Sequence, residues 1–222
     1  MALKALLFDL DGTLADTDPI HFQTWKELLQ EYDFEIDHDF YRSHFSGRLN
    51  QDIVRDFLPQ LSEAEGRAVS DRKEAEFRER GDALKPLDGL LELLDWSDQS
   101  GISYAVVTNA PPENARFMLR ALNLEARMSV LIIAEELPCG KPDPLPYQTA
   151  LERLGVMASE AIAFEDSPSG IRSAVGADLF TVGVATTQPP EKLLQLGASM
   201  IISDFTDAAL QQRLQQGLQI LV

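Results

Sequence analysis

Short apolar runs alternate with helical segments along most of the chain, and this alternation limits the fold more than any other feature of the sequence. The strand-like runs are Ala5–Phe8, Tyr104–Val107, Val130–Ile133, Ala161–Phe164, Phe180–Val184 and Met200–Ile202. Because they are apolar throughout, they are typical of parallel strands buried on both faces. We therefore expect an α/β protein with an open, doubly wound parallel sheet, in which ligands bind at the carboxyl ends of the strands.

The stretch between the first and second strand-like runs breaks this alternation. Its apolar residues recur at helical spacing and no strand is indicated there. Ser62 followed by Glu65 is typical of a capping box at the start of a long charged helix. We predict an all-helical domain of residues 17–83, inserted into a core formed by residues 1–16 and 84–222.

The charge of the chain excludes one class of partner. Its 222 residues include 19 basic and 36 acidic side chains, a net charge of −17, without a basic cluster that could follow a nucleic-acid backbone. No apolar run approaches the length of a membrane span, and the first residues lack a signal-peptide pattern. The single cysteine, Cys139, fits a reducing compartment. We expect a cytoplasmic protein that binds neither nucleic acid nor membrane; nothing indicates its oligomeric state.

Two carboxylates, Asp9 and Asp11, follow the first strand-like run in the sequence Asp-Leu-Asp-Gly-Thr. Like charges so close together beside an apolar core are costly to ionise unless a cation neutralises them, and Mg²⁺ prefers oxygen ligands. Aspartates are also common at turns and helix caps after strands. Taken alone, the pair is equally compatible with a catalytic site and with a turn.

A second acidic pair, Glu165 and Asp166, follows the strand-like run Ala161–Phe164. In a parallel sheet both strand ends lie at one edge, so these carboxylates can join Asp9 in an oxygen-rich metal site. A helix cap would explain one of the two acids but not both. The sequence therefore favours a metal site at this edge.

Three further polar residues are candidates for binding phosphate. Thr108 and Asn109 follow a strand-like run and precede a helix, where side chains and backbone N–H groups can hold phosphate oxygens. Both residue types are also ordinary helix caps. Lys141 precedes another helix, and a lysine held among carboxylates could bind phosphate and keep those carboxylates ionised.

The order of these motifs, each at a strand end, resembles that of the haloacid dehalogenase superfamily over essentially the whole chain. The resemblance is to the branch of phosphoglycolate phosphatases and β-phosphoglucomutases. It implies a Rossmann-like core with a helical cap inserted after the first strand. Members that remove halide lack the second aspartate of the first motif, so the presence of Asp11 indicates phosphate chemistry.

The resemblance also implies a role for each motif residue. Asp9 would be the nucleophile that becomes aspartyl-phosphate, and Asp11 would act as general acid and then as general base. Mg²⁺ would be held by the Asp9 carboxylate, the Asp11 backbone carbonyl and Asp166, with Glu165 acting through water or from behind the ligands. The phosphate-binding residues would be Thr108, Asn109 and Lys141.

Three residues of the predicted cap are candidates for contacting substrate. His21 lies at the position of a histidine found near the substrate in sugar-phosphate members, and Lys73 matches a cap lysine of the mutase. Each also has a structural interpretation, as a helix-face histidine and as part of a solvated charged helix. The mutase uses a cap arginine for the second phosphate of its substrate; that position falls on Asn50 here, with Arg48 two residues earlier.

We therefore predict a Mg²⁺-dependent phosphatase of small phosphate monoesters, such as sugar phosphates or phosphoglycolate-like acids. The alternative is a β-phosphoglucomutase-type isomerase, which Asn50 disfavours. A catalytically silent binding module is a third hypothesis, but it predicts the loss of a chemical residue and none is missing.

Overall fold

The computed structural model describes residues 2–45, 48–81 and 84–216, and its centre is a six-stranded parallel sheet. The strands are β1 (Ala5–Phe8), β2 (Ser103–Thr108), β3 (Leu131–Ile133), β4 (Ala161–Glu165), β5 (Phe180–Val184) and β6 (Met200–Ile202). They lie in the order β3-β2-β1-β4-β5-β6. The predicted α/β fold is confirmed, and all six strand-like runs are strands.

The helices of the described ranges fall into two sets. Those of the first set follow one another between β1 and β2, and those of the second set lie after β2. They are α1 (Asp18–Gln30), α2 (His38–His44), α3 (Asn50–Phe57), α4 (Glu63–Arg80), α5 (Leu90–Ser100), α6 (Pro112–Ala121), α7 (Leu145–Leu154), α8 (Pro168–Gly176), α9 (Pro190–Gln195) and α10 (Ala208–Gln216). Of the later helices, α6 to α9 connect successive parallel strands, as parallel sheets require, and α10 follows β6.

Strand β1 occupies the middle of the sheet because its side chains are apolar on both faces. Its four residues are completely buried. On one face Leu7 joins a cluster that includes Tyr147 of α7. On the other face the ring of Phe8 stacks on Phe164 with centroids 5.0 Å apart, and the edge of Phe205 completes the contact. Burial on both faces holds β1 in place in the sheet. It therefore also sets the position of the residues that follow the strand.

The order of the strands creates one switch point in the sheet, between β1 and β4. The chain proceeds from β1 to β2 and β3 on one side and from β4 to β5 and β6 on the other, so the order reverses between β1 and β4. Phe8 at the end of β1 pairs with Val106 of β2 and with Phe164 of β4. Residues just after these positions therefore meet at the switch point, where open α/β sheets bind ligands.

The chain divides into two compact units. One comprises Met1–Asp16 and Lys85–Val222 and contains the sheet; the other comprises Thr17–Leu84. The boundary predicted after residue 83 involves Ala83, which lies outside the described residues. No helix in the described part of the chain combines the length and apolar character needed to cross a bilayer.

The unit Thr17–Leu84, called the helical unit below, contains α1 to α4 and has its own apolar core. Trp25 of α1 and Phe45 meet edge to face in this core, with ring centroids 5.4 Å apart. The predicted capping box is confirmed: the Ser62 hydroxyl accepts from the Glu65 N–H, and the Glu65 carboxylate accepts from the Ser62 N–H at 2.8 Å. The capping box thus begins α4 directly after Ser62, as the sequence indicates.

Candidate active site

Asp9 is the first residue after β1, and its carboxylate is almost completely buried. Its N–H donates to the carbonyl of Phe164 at 3.0 Å, so β4 holds its backbone. Its side chain accepts a charge-assisted hydrogen bond from Lys141, with Nζ 2.5 Å from Oδ1. Asp9 therefore sits at the switch point of the sheet with one carboxylate oxygen already bound to a cation.

The turn after Asp9 requires a glycine. Gly12 has a φ of +76°, which favours glycine, and its N–H donates to the Ala15 carbonyl at 2.9 Å. A Cβ at this position would collide with the Asp166 carboxylate. The turn thus brings the backbone of the first motif directly against Asp166, while Asp11 beside it is half-buried.

Glu165 and Asp166 stand at the end of β4, both buried, but with different partners. Glu165 accepts from Lys141 Nζ at 2.5 Å and from the Tyr147 hydroxyl at 2.7 Å. Asp166 accepts from the Thr187 hydroxyl at 2.5 Å. One oxygen of each of Asp9, Glu165 and Asp166 lies within 4.8 Å of the others, so the three carboxylates predicted to converge do so.

Lys141 reaches this cluster from the loop before α7. Its Nζ donates to Asp9, to Glu165 and to the Val107 carbonyl at 2.7 Å, and lies 5.2 Å from the centre of the Tyr147 ring. Burial alone would lower the pKa of Lys141, but the charges of Asp9 and Glu165 outweigh it and raise that pKa. The ammonium is therefore firmly charged.

One ammonium does not balance three buried carboxylates. Burial, with the nearby charge of Glu165, raises the pKa of Asp9 to about 8 despite the opposing effect of Lys141. Burial and the charges of Asp9 and Glu165 likewise raise the pKa of Asp166 well above its usual range. A further cation would allow all three to ionise together, and a compact all-oxygen donor set fits the hard cation Mg²⁺.

Thr108, the last residue of β2, and Asn109, the next residue, use their side chains differently. The Thr108 hydroxyl is buried and accepts from the Ala110 N–H at 2.9 Å. The Asn109 amide holds the backbone of Lys141 in both directions: Nδ2 donates to its carbonyl at 3.1 Å and Oδ1 accepts from its N–H at 3.0 Å. Asn109 thus braces the loop that carries the lysine, a contact the sequence did not indicate.

The three predicted cap residues lie together within the helical unit. Lys73 is buried and donates to Glu74 at 2.8 Å, and its Nζ lies 2.8 Å from Nδ1 of His21. Asn50 donates to the same Glu74 carboxylate. The ring of His21 stacks on Phe77 with centroids 4.2 Å apart. Glu74 is the residue that sequence reasoning missed, because it stood within a run of alternating charges.

Sequence reasoning also missed the neutral side chains that contact the carboxylates. Tyr147 lies inside a helix, where nothing in the pattern distinguishes it from a core aromatic. Thr187, by contrast, follows β5, and the rule that ligands bind after the carboxyl ends of strands would have included it.

The fold and the cluster at its switch point together define a family. The family model of haloacid dehalogenase-like hydrolases matches residues 6–184. The chain therefore belongs to the haloacid dehalogenase-like hydrolases, as the order of its motifs predicted.

Known relatives include both activities that the sequence left open. The chain is 34% identical over 208 residues to the validoxylamine A 7'-phosphate phosphatase of Streptomyces hygroscopicus subsp. limoneus, covering 92% of this chain and 95% of that protein. It is 28% identical over 218 residues to the β-phosphoglucomutase of Bacillus subtilis, covering 94% and 93%. Among solved structures, a family IA, variant 3 hydrolase of Entamoeba histolytica superposes with a TM-score of 0.86 at 26% identity, over 96% of this chain and 98% of that one.

Proposed function

We propose that this chain is a Mg²⁺-dependent phosphoric monoester hydrolase that acts on small phosphorylated metabolites through an aspartyl-phosphate intermediate. The observation that carries the proposal is the cluster at the switch point, where three buried carboxylates converge and the Lys141 ammonium contacts two of them, Asp9 and Glu165. The similarity to a phosphatase over nearly the whole chain supports the same reading. Sugar phosphates or phosphoglycolate-like acids are the substrates we expect.

Asp9 and Asp11 divide the chemistry between them. A carboxylate oxygen of Asp9 attacks phosphorus, an O–P bond forms, and the bond from phosphorus to the ester oxygen breaks as Asp11 gives that oxygen a proton. Water then attacks phosphorus while Asp11 takes its proton, and the Asp9–phosphorus bond breaks to release phosphate. The half-buried Asp11 can exchange protons more readily than the buried Asp9.

The metal site would use oxygen ligands from both motifs. We assign the Asp9 carboxylate, the Asp11 main-chain carbonyl and Asp166 as ligands, with Glu165 acting through water or by holding Lys141. When bound, Mg²⁺ would neutralise charge on the transferring phosphoryl group and hold it in line with the nucleophile. The chain's own part is to keep three carboxylates within reach of one ion.

Lys141, Thr108 and Asn109 are the residues we assign to the phosphoryl group. An ammonium has three donors, and Lys141 uses them on Asp9, Glu165 and the Val107 carbonyl. Binding phosphate would therefore exchange one of these partners for a phosphate oxygen. Asn109 contributes by holding the backbone of Lys141 in place.

The helical unit would serve as the cap domain, with His21, Asn50 and Lys73 as candidate substrate contacts. The mutase alternative needs a cation for a second phosphate at the place of Asn50. In this chain Asn50 donates to the carboxylate of Glu74, which also neutralises Lys73. A second phosphate at that place would have to compete with Glu74 for Lys73 and Asn50, so the contacts favour a substrate with one phosphate over the mutase's bisphosphate.

The test is phosphate release from a panel of small esters, including glycolate, glucose and fructose phosphates, with and without Mg²⁺. We expect metal-dependent release from one or a few monoesters, and none from an Asp9→Asn preparation, which controls for contaminating phosphatases. Conversion of β-glucose 1-phosphate to glucose 6-phosphate in the presence of a bisphosphate primer, without phosphate release from any ester, would replace the hydrolase with the mutase.

A further inference from the structure

The loop after β5 touches both acidic loops of the site through two neighbouring hydroxyls. Thr186 Oγ1 donates to the Gly12 carbonyl at 2.5 Å. Thr187 Oγ1 lies 2.5 Å from Oδ2 of Asp166 and 3.1 Å from the main-chain carbonyl of the same residue. A third strand end therefore ties the turn of the first motif to Asp166.

Two hydroxyl groups contact the Asp166 carboxylate, and the hydroxyl of Thr187 is the closer one. Thr13 Oγ1 lies 3.3 Å from the other oxygen, Oδ1. A carboxylate rotates readily about its last side-chain torsion unless hydrogen bonds hold it, because that torsion has broad minima. Donors on both oxygens, the closer one from Thr187, fix the plane of the Asp166 carboxylate.

Two features make threonine suitable at this position. Its methyl group faces the turn of the first motif, where a Cβ on Gly12 would lie 3.0 Å from Thr187 Cγ2, so the side chain has little room to turn. Its hydroxyl donates a hydrogen bond without adding a charge. Lys141 brings a positive charge to its carboxylate partners, whereas Thr187 orients Asp166 through a neutral hydroxyl and leaves its charge to be balanced by a cation.

We propose that Thr187 is a positioning residue that holds the Asp166 carboxylate in the orientation needed to bind the metal ion. The inference rests on the proposed function, because it assumes that Asp166 is a metal ligand. Side chains that hydrogen-bond to metal ligands influence affinity by about 10–100-fold. Thr187 should act on metal affinity, without touching the substrate or the reacting atoms.

The experiment measures Mg²⁺ binding to the metal-free full chain by calorimetry, alongside the Mg²⁺ concentration that gives half-maximal phosphate release. Thr187→Val keeps the shape and removes the hydroxyl; we expect about 10-fold or greater weakening of Mg²⁺ binding, and recovery of most turnover at saturating Mg²⁺. Thr187→Ser restores the donor and should therefore lose much less Mg²⁺ affinity than the about 10-fold or greater loss expected for Thr187→Val.

The matched control is Thr181→Val, the same substitution in β5 itself. Thr181 is fully buried and its hydroxyl donates to the Leu179 carbonyl at 3.1 Å, away from the carboxylates. This variant reports the cost of losing a buried hydroxyl in this strand, and its Mg²⁺ affinity should equal that of wild type. Circular dichroism of each variant checks that the fold is retained.

Two results would overturn the inference in distinguishable ways. If wild type shows Mg²⁺-dependent phosphate release but Thr187→Val binds Mg²⁺ as tightly, or Thr187→Ser loses as much affinity as Thr187→Val, the positioning role is wrong and the proposed function stands. If wild type neither binds Mg²⁺ nor releases phosphate, the proposed function fails and the inference fails with it.

Discussion

The switch point of the sheet and the interior of the helical unit both bury charged side chains, but they balance the charges differently. At the sheet, three carboxylates converge, those of Asp9, Glu165 and Asp166, and the ammonium of Lys141 contacts the first two. In the helical unit, the carboxylate of Glu74 accepts from Lys73 at 2.8 Å. One cluster carries an excess of negative charge and the other pairs each acid with a base.

The pKa directions express this difference. Burial and the charge of Glu165 raise the pKa of Asp9 to about 8. Burial alone would raise the pKa of Glu74 as well, but the charges of Lys73 and His21 outweigh it and lower that pKa. The cluster at the sheet costs stability until a cation arrives, whereas the cluster in the helical unit stabilises its own surroundings.

The largest expected effect is on turnover, from Asp9→Asn. The substitution keeps the volume of the side chain and removes the nucleophile, so turnover should fall by more than about 10⁴-fold while the protein stays folded. The measurement is steady-state phosphate release with the best ester of the panel, together with a thermal unfolding scan. Full activity in this variant would remove the sheet cluster from the chemistry.

Asp11→Asn should slow turnover by about 10²–10⁴-fold, because the leaving group then lacks a proton donor. In the first step, release of the alcohol or phenol in a single turnover, the loss should be greatest for alkyl esters and smallest for an aryl ester such as p-nitrophenyl phosphate, whose leaving group needs no proton; hydrolysis of the intermediate needs Asp11 for either ester. Comparing the two esters under the same conditions isolates the proton donor from other effects. An equal loss for both would assign Asp11 a different role.

Glu74→Gln should destabilise the protein by about 3 kcal/mol, because it leaves the buried ammonium of Lys73 without its carboxylate. The pKa of Glu74 is lowered, so its stabilisation is present above the ordinary value of 4.5 and is lost as the pH falls through the lowered pKa. Denaturant unfolding at neutral and acidic pH measures both; the variant should differ from wild type less at the acidic end. Equal stability at neutral pH would show that the pair is dispensable.

Asp166→Asn makes the same chemical change, carboxylate to amide, in the cluster at the sheet. Its effect on the stability of the metal-free protein should have the opposite sign to that of Glu74→Gln. It removes one of the carboxylates whose ionisation burial disfavours, and the amide oxygen can still accept from Thr187. Metal-free stability should increase by about 1 kcal/mol. Saturating Mg²⁺ should stabilise wild type by about 1–3 kcal/mol and leave the variant unchanged. If both amide variants destabilise the metal-free protein equally, the difference in charge balance between the two clusters does not affect stability.

Much of the fold could be predicted because buried parallel strands are continuous apolar runs. Ala5–Phe8, Phe180–Val184 and Met200–Ile202 have the bounds that the sequence indicated, and β3 begins one residue later than expected, at Leu131. The convergence of Asp9, Glu165 and Asp166 followed from one rule, that parallel strands end at a common edge. The acidic residues of the site could therefore be predicted from the positions of the strand ends.

The contacts that hold those residues could not be predicted in the same way. Tyr147 reaches Glu165 from within a helix, and Lys73 meets His21 from 52 positions away, so no local pattern records either contact. Asn109 was assigned to phosphate from its position, yet its amide is engaged with the backbone of Lys141. Side-chain pairing depends on packing across elements, which residue types alone do not specify.

The most direct test of the central claim, that the sheet cluster receives a cation so that Asp9 can take up a phosphoryl group, is acid-quenched labelling with a ³²P-labelled substrate. We expect label on the peptide that carries Asp9 within the first turnover, only when Mg²⁺ is present, and none in Asp9→Asn. Metal-dependent phosphate release without label at Asp9 in either wild type or Asp11→Asn, or label on another residue, would contradict the account.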